Sequence, residues 1–166
     1  MIKDIITAIN KGENFLITSH IKLDGDALGS ELALYLALIK SGKKAVVYNE
    51  DKTPGHYSFL PAAEKILHEL PDVNDFDVAF ILDCSEIERV GNKAKEIAKI
   101  KKIINIDHHI SNNGFSQLKL WDGRASSTGE LMFHLFEQMN ISMTPEICTN
   151  LYAAILTDTG GFRYAS

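Results

Sequence analysis

The sequence predicts an α/β protein built on a doubly wound, mainly parallel sheet with helices on both faces. Two patterns carry that prediction. Short apolar runs alternate with segments of helical period along the 166 residues, the signature of strand–helix–strand units with right-handed crossovers. Three of the runs also end in His or Asp, at His20, Asp83 and Asp107, and parallel sheets collect their ligands at the carboxyl ends of their strands. With 45% hydrophobic and 23% charged residues, the chain has the composition of one ordinary globular domain with a sizeable core.

Taken in order, "MIKDIITAINKGENF" mixes Lys3, Asp4, Lys11 and Glu13 into its apolar positions, which predicts a short amphipathic helix and not a signal peptide. "NFLIT" (14–18) follows as a buried strand. "DALGSELALYLALIKSG" is a helix, with Asp26 as the expected N-cap and Gly42 as its stop. "KAVVYN" (44–49) is a second strand, and "PAAEKILHEL" (61–70) a helix entered through Pro61. "DVAFILD" (77–83), the helix "NKAKEIAKI" (92–100) and "KIINID" (102–107) come next, and "QLKLWD" (117–122) offers a fifth strand. "SSTGELMFHLFEQMN" opens with Ser127 and Glu130 in capping-box spacing, and a last helix starts at Thr144-Pro145.

Against this frame, the loop "TSHIKLDGDALGS" crowds His20, Asp24 and Asp26 directly behind the first strand. Each motif has an ordinary explanation when taken alone. "HIKLDGD" could be a solvated turn, Asp83 in "DCSE" could cap the next segment, and a histidine of "DHH" (107–109) could serve a loop. Asp158 in "ILTDTGG" could be a helix-terminal residue, although a carboxylate there opposes the helix dipole. None of these explanations accounts for all four motifs meeting at one sheet edge, whereas a metal site does. His20, Asp24, Asp26, Asp83, Asp158 and the run Asp107-His108-His109 can supply two imidazoles and four carboxylates, enough for two divalent ions if one carboxylate bridges them. Mixed N/O ligation without thiolate suits Mn²⁺, with Zn²⁺, Co²⁺ and Fe²⁺ as competitors.

The formal net charge of −5 argues against a general basic surface for long nucleic acid, while a small anionic substrate remains compatible if metal ions supply local positive charge. Cys84 and Cys148 form no CxxC pair, which fits a reducing cytoplasm better than a disulfide framework. No apolar run is long enough to span a membrane. "DGDALGS" is neither GxGxxG nor a Walker A loop, and Cys84 reads as a small buried filler.

Together "HIKLDGDALGS", "ILDCSEIERVG", "INIDHHISN" and "LTDTGGFRYAS", with "RASSTGEL" (124–131) between the last two, resemble the ordered motifs of the DHH phosphoesterases. Within them the likeness is greatest to the bacterial oligoribonuclease and 3′-phosphoadenosine 5′-phosphate phosphatase branch. The resemblance implies one metal on His20, Asp24 and Asp83 and a second on Asp26, Asp83, His108 and Asp158, with Asp83 bridging. It implies His109 facing the substrate phosphate and Asp107 supporting the histidines, so that Asp83, His109 and Asp107 form the catalytic group. Arg124 and Arg163 are candidate phosphate anchors. The implied activity is two-metal hydrolysis of short oligonucleotides or nucleoside 3′,5′-bisphosphates. Pyrophosphate hydrolysis and a non-hydrolytic nucleotide-binding module are the alternatives. Leu23 stands where the family usually has proline, which removes a φ lock from the loop. The family also normally continues past "FRYAS" into a substrate-binding domain, so residues 1–166 are expected to be the metal-bearing catalytic domain.

Overall fold

In the computed structural model, residues 2–164 are described; the final Ala165 and Ser166 of the "FRYAS" motif lie outside them. Five strands, β1 (Asn14–Thr18), β2 (Lys44–Val47), β3 (Val78–Leu82), β4 (Ile103–Asp107) and β5 (Leu118–Trp121), form a single sheet in the order β2-β1-β3-β4-β5. Every pairing is parallel. The strand order reverses direction between β1 and β3, and their carboxyl ends flank the crevice where such sheets bind ligands.

Strand parity explains the two apolar layers. Phe15, Ile17, Phe80 and Leu82 join the larger core with α1 (Ile2–Lys11), α2 (Gly25–Lys40), α4 (Thr128–Gln138) and α5 (Pro145–Asp158). Leu16, Ala79 and Ile81 point to the other face, where Val90, Ile97 and the wholly buried Cys84 complete a smaller layer under the short α3 (Ala94–Ile97). Successive side chains on a strand alternate faces, so nearly continuous apolar runs are what a sheet covered on both sides requires.

Helix α2 is buried along most of its length, which explains why its residues are apolar almost all round. It packs against α5 at unusually close range. A Cβ at Gly29 would collide with the Asn150 carbonyl and stand 2.9 Å from Ala154 Cβ, and one at Gly129 of α4 would lie 2.6 Å from the same Ala154 Cβ.

Four expectations change. The N-cap of α2 is Asp24, whose carboxylate accepts from Ala27 N at 3.0 Å; Asp26 lies inside the first turn. Residues 61–70 form no α-helix beyond a single 3₁₀ turn at Ala63–Lys65, because Ala62 sits at φ +70° and Leu67 instead bridges the outer edge of β2, with Leu67 N donating to Val47 O and Asn49 N to Leu67 O. Satisfying the backbone groups at that sheet edge prevails over local helix propensity. The helix expected over 92–100 is reduced to α3. At α4, Ser127 Oγ accepts from Glu130 N at 3.1 Å, but the Glu130 carboxylate reaches back to Ser126 N and Oγ, both at 2.7 Å. No helix among the described residues is long and apolar enough to cross a membrane.

Candidate metal centre

The β1 strand ends in a loop that carries His20 into the crevice. Ile21 N donates to Arg89 O at 2.8 Å and Lys22 N donates to the Asp51 carboxylate. Leu23 is buried in the core, so contacts on both sides hold the loop without a proline. His20 Nδ1 pairs with Ile21 O at 2.8 Å, which leaves Nε2 at 3.3 Å from Asp83 Oδ2 and 3.6 Å from Asp24 Oδ2.

Asp83 follows β3 in a left-handed conformation, φ +55°. Aspartate tolerates that region better than most residues, and such an outlier marks a position held by its surroundings. Its Oδ1 accepts from Thr128 Oγ1 at 2.8 Å and lies 3.6 Å from His108 Nε2. That same His108 nitrogen is 3.8 Å from Asp26 Oδ2 and 3.4 Å from Asp158 Oδ2. Ligand atoms of His20, Asp24 and Asp83 lie within 4.8 Å of one another, as do those of Asp26, His108 and Asp158. All six expected donors are thus brought together, in two sets adjoining at the Asp83 carboxylate.

Beside them, Asp107 Oδ1 accepts from His109 Nδ1 at 2.7 Å, and Asp107 Oδ2 accepts from Asn112 Nδ2 at 2.6 Å. Trp121 Nε1 donates to the His109 carbonyl at 2.8 Å. His109 is therefore fixed in orientation by groups on β4, the following loop and β5.

The electrostatics of the cluster call for positive charge. Burial first, and the Asp83 charge next, push the Asp26 carboxyl well above its ordinary range, although Thr128 N at 2.7 Å and Gly129 N at 2.9 Å donate to it. Burial also raises Asp158, with the charges of Asp83 and Asp24 adding to it. For Asp83 burial works against ionisation, but the His20 bond, the His109 and His20 charges and the Thr128 hydroxyl outweigh it and lower the pKa. Burial opposes protonation of His20, but its bonds to Asp83 and Ile21 O and the charges of Asp83 and Asp24 together outweigh it and raise the pKa. The Asp107 bond raises His109. Buried carboxylates this close are stable when paired or when they coordinate a cation. The donor chemistry fits divalent metal, oxygen-rich with imidazole and no thiolate.

The two arginines do not join this cluster by ion pairs. Arg124 is 91% exposed and forks onto Asp122, with Nε and Nη2 both at 3.2 Å from its oxygens. Arg163 is exposed and makes no ion pair among the described residues. Sequence reasoning missed Thr128 and Asn112, which bond the carboxylates of Asp83, Asp26 and Asp107. The motifs "RASSTGEL" and "INIDHHISN" contained both, but nothing local indicated their partners. It also missed Arg89, a half-buried cation close enough to oppose protonation of His109.

Comparison with known proteins is consistent with this geometry. Residues 14–155 match the DHH family, N-terminal domain. The bifunctional oligoribonuclease and PAP phosphatase NrnA of Thermus thermophilus is 35% identical over 150 residues, covering 90% of this chain and 44% of that protein. The crystal structure of an exopolyphosphatase-related protein from Bacteroides fragilis superposes with a TM-score of 0.92 at 30% identity, over 98% of this chain and 51% of that one. RecJ from Thermus thermophilus, solved in complex with Mn²⁺, shares the fold at a TM-score of 0.56 and 14% identity, over 95% of this chain and 23% of RecJ. The chain spans about half the length of the curated relatives it matches.

Proposed function

The chain belongs to the DHH family, and from that premise we propose that it is a two-metal phosphoesterase acting on short oligonucleotides or nucleoside 3′,5′-bisphosphates. The observation that carries the proposal is the division of the Asp83 carboxylate, Oδ2 facing His20 and Oδ1 facing His108. His20, Asp24 and Asp83 would hold one ion, and Asp26, Asp83, His108 and Asp158 the other, with Mn²⁺ the best match to the donors. Such ions supply the charge that lets a phosphate approach four carboxylates and that makes a water nucleophilic near neutral pH.

The chain's own residues do the rest. Asp107 takes His109 Nδ1, so Nε2 is the ring nitrogen available to a substrate. That bond orients the imidazole so that Nε2 is placed to bond a phosphoryl oxygen or give a proton to the departing oxygen. Thr128 and the backbone N–H groups of residues 128 and 129 fix the carboxylates of Asp83 and Asp26 before any ligand arrives. Arg124 would serve as a phosphate anchor only by leaving Asp122, and Arg163 would do so without breaking an ion pair. A second domain, carried by the other half of the relatives, would close over the substrate.

The test is hydrolysis of a dinucleotide, a nucleoside 3′,5′-bisphosphate, pyrophosphate and bis-p-nitrophenyl phosphate by the Mn²⁺-loaded chain. We expect slow turnover of the activated ester, abolished by chelator. A relative's second domain supplied in trans should raise kcat/KM for the dinucleotide more than for that ester. Preferred release of phosphate from pyrophosphate would favour the pyrophosphatase alternative. Tight nucleotide binding with no turnover of any substrate, second domain included, would favour the regulatory one.

A further inference from the structure

A cavity of about 600 Å³ opens directly beside the metal centre and shares His108, His109 and Asp158 with it. Its remaining walls are different in character. Ile110 is 86% exposed, Phe162 66% and Tyr164 72%, three large apolar or aromatic side chains facing water around one opening. Gly123 lies beside Ile110. A Cβ there would stand 3.3 Å from Ile110 Cγ1 and 3.4 Å from Trp121 Cζ2, so any larger residue would narrow the opening.

The aromatic wall is built at a conformational cost. Gly160, Gly161 and Phe162 follow the end of α5 with φ of +59°, +69° and +63°, three successive left-handed residues of which the last is not glycine. Phe162 N donates to Thr159 Oγ1 at 3.1 Å, while Arg163 N and Tyr164 N both donate to Thr159 O, at 3.0 and 3.1 Å. The Tyr164 ring lies against Gly160, where a Cβ would collide with it. A tight turn held by Thr159 thus places Phe162 and Tyr164 at the cavity, next to the Asp158 carboxylate. Strain of this kind is retained where surrounding structure enforces it, and it clusters at ligand sites.

We propose that this cavity is the subsite for the nucleobase next to the phosphate held at the metal centre, with Phe162 as its stacking surface and Ile110 as the opposing wall. The proposal rests on the phosphoesterase reading above and deepens it. A planar, sequence-tolerant π-face is what an aromatic side chain recognises in any base; Ser126, Thr159 and Arg124 also line the cavity. The subsite therefore selects a nucleotide over a bare phosphate ester through its aromatic wall. Arg124 forks onto Asp122, and the preference for a base is carried by Phe162.

The experiment is calorimetric titration of the Mn²⁺-loaded 166-residue chain with adenosine 5′-monophosphate and with ribose 5-phosphate, which differ by the base alone. The expected result is about tenfold tighter binding of the nucleotide, the lower end of what base stacking contributes. Phe162→Ala and Gly123→Val should each bring the two affinities to within about twofold of one another, and Phe162→Tyr should retain the preference. Emission from Trp121, the chain's one tryptophan, should respond to the nucleotide and not to the sugar phosphate. Equal affinities in the unaltered chain, or a preference that survives both Phe162→Ala and Gly123→Val, would overturn the subsite and leave the phosphoesterase reading standing. Failure of both ligands to bind the loaded chain would likewise overturn the subsite, while the phosphoesterase reading is decided by the hydrolysis assay above.

Discussion

Glu31→Gln should make the metal-free chain more stable at neutral pH. Glu31 lies on α2, fully buried, with Oε2 accepting from Asn49 Nδ2 at 2.8 Å and Oε1 without a hydrogen-bond partner. Burial pushes its pKa from 4.5 to about 8. Between those two values the folded chain holds a proton that the unfolded chain has lost, so unfolding free energy falls as pH rises through the window, by about 1.4 kcal/mol per pH unit. At pH 7 the accumulated penalty is about 3 kcal/mol. Glutamine reproduces the neutral side chain, keeps an acceptor for Asn49 and removes the titration; its amide N–H groups stand where the protonated carboxyl's O–H is likewise without a partner. Urea unfolding in the presence of chelator, at pH 4 and at pH 7, measures the difference directly. The variant and the parent should be nearly equal at pH 4 and about 3 kcal/mol apart at pH 7, the variant being the more stable. The shifted groups of the cluster are present in both proteins; His20, Asp83 and Asp24 lie close enough to interact with the Glu31 charge, an effect smaller than that of its burial. A difference independent of pH, or a variant less stable at pH 7, would refute the reasoning.

Asp83→Asn should abolish binding of both Mn²⁺ ions while Asp24→Asn removes one, because only Asp83 faces both donor sets; calorimetric stoichiometry checks this, and loss of a single ion in each variant would remove the bridging role. Thr128→Val should cost about 1–3 kcal/mol in urea unfolding by leaving a buried carboxylate oxygen without its donor, and Thr128→Ser should recover most of that loss.

The sheet was legible because each strand is a compact apolar run, and the runs of β1, β3 and β4 are buried on both faces. The segment 61–70 misled because its composition favours a helix, while the unpaired edge of β2, invisible in any local window, draws Leu67 into a bridge. Asp24 and Asp26 are chemically identical candidates for the N-cap, and the choice between them is made from across the fold. Thr128 and Gly129 donate to Asp26 from α4 and hold it inside the helix. The candidate metal donors could be read because several strand ends and a helix end deliver histidine or aspartate to one sheet edge, a convergence that no single turn or cap explains. Thr128 and Asn112 could not, since a hydroxyl or amide acquires its role only from the carboxylate it meets. The left-handed turn at Phe162 left no trace in the sequence beyond two glycines.

The close approach of α2 and α5 gives those distant glycines a share in the chemistry. Asp26 stands near the start of one helix and Asp158 at the end of the other, so the gap between the two helix axes sets the gap between the two carboxylates. Gly29 acts as a spacer gauge of zero thickness. A methyl group added there would wedge the axes apart and carry Asp158 away from His108, although Gly29 itself has no atom that could bind an ion or touch a phosphate. Tolerance to substitution in this domain should therefore follow the contact line between two helices as faithfully as it follows the ligands.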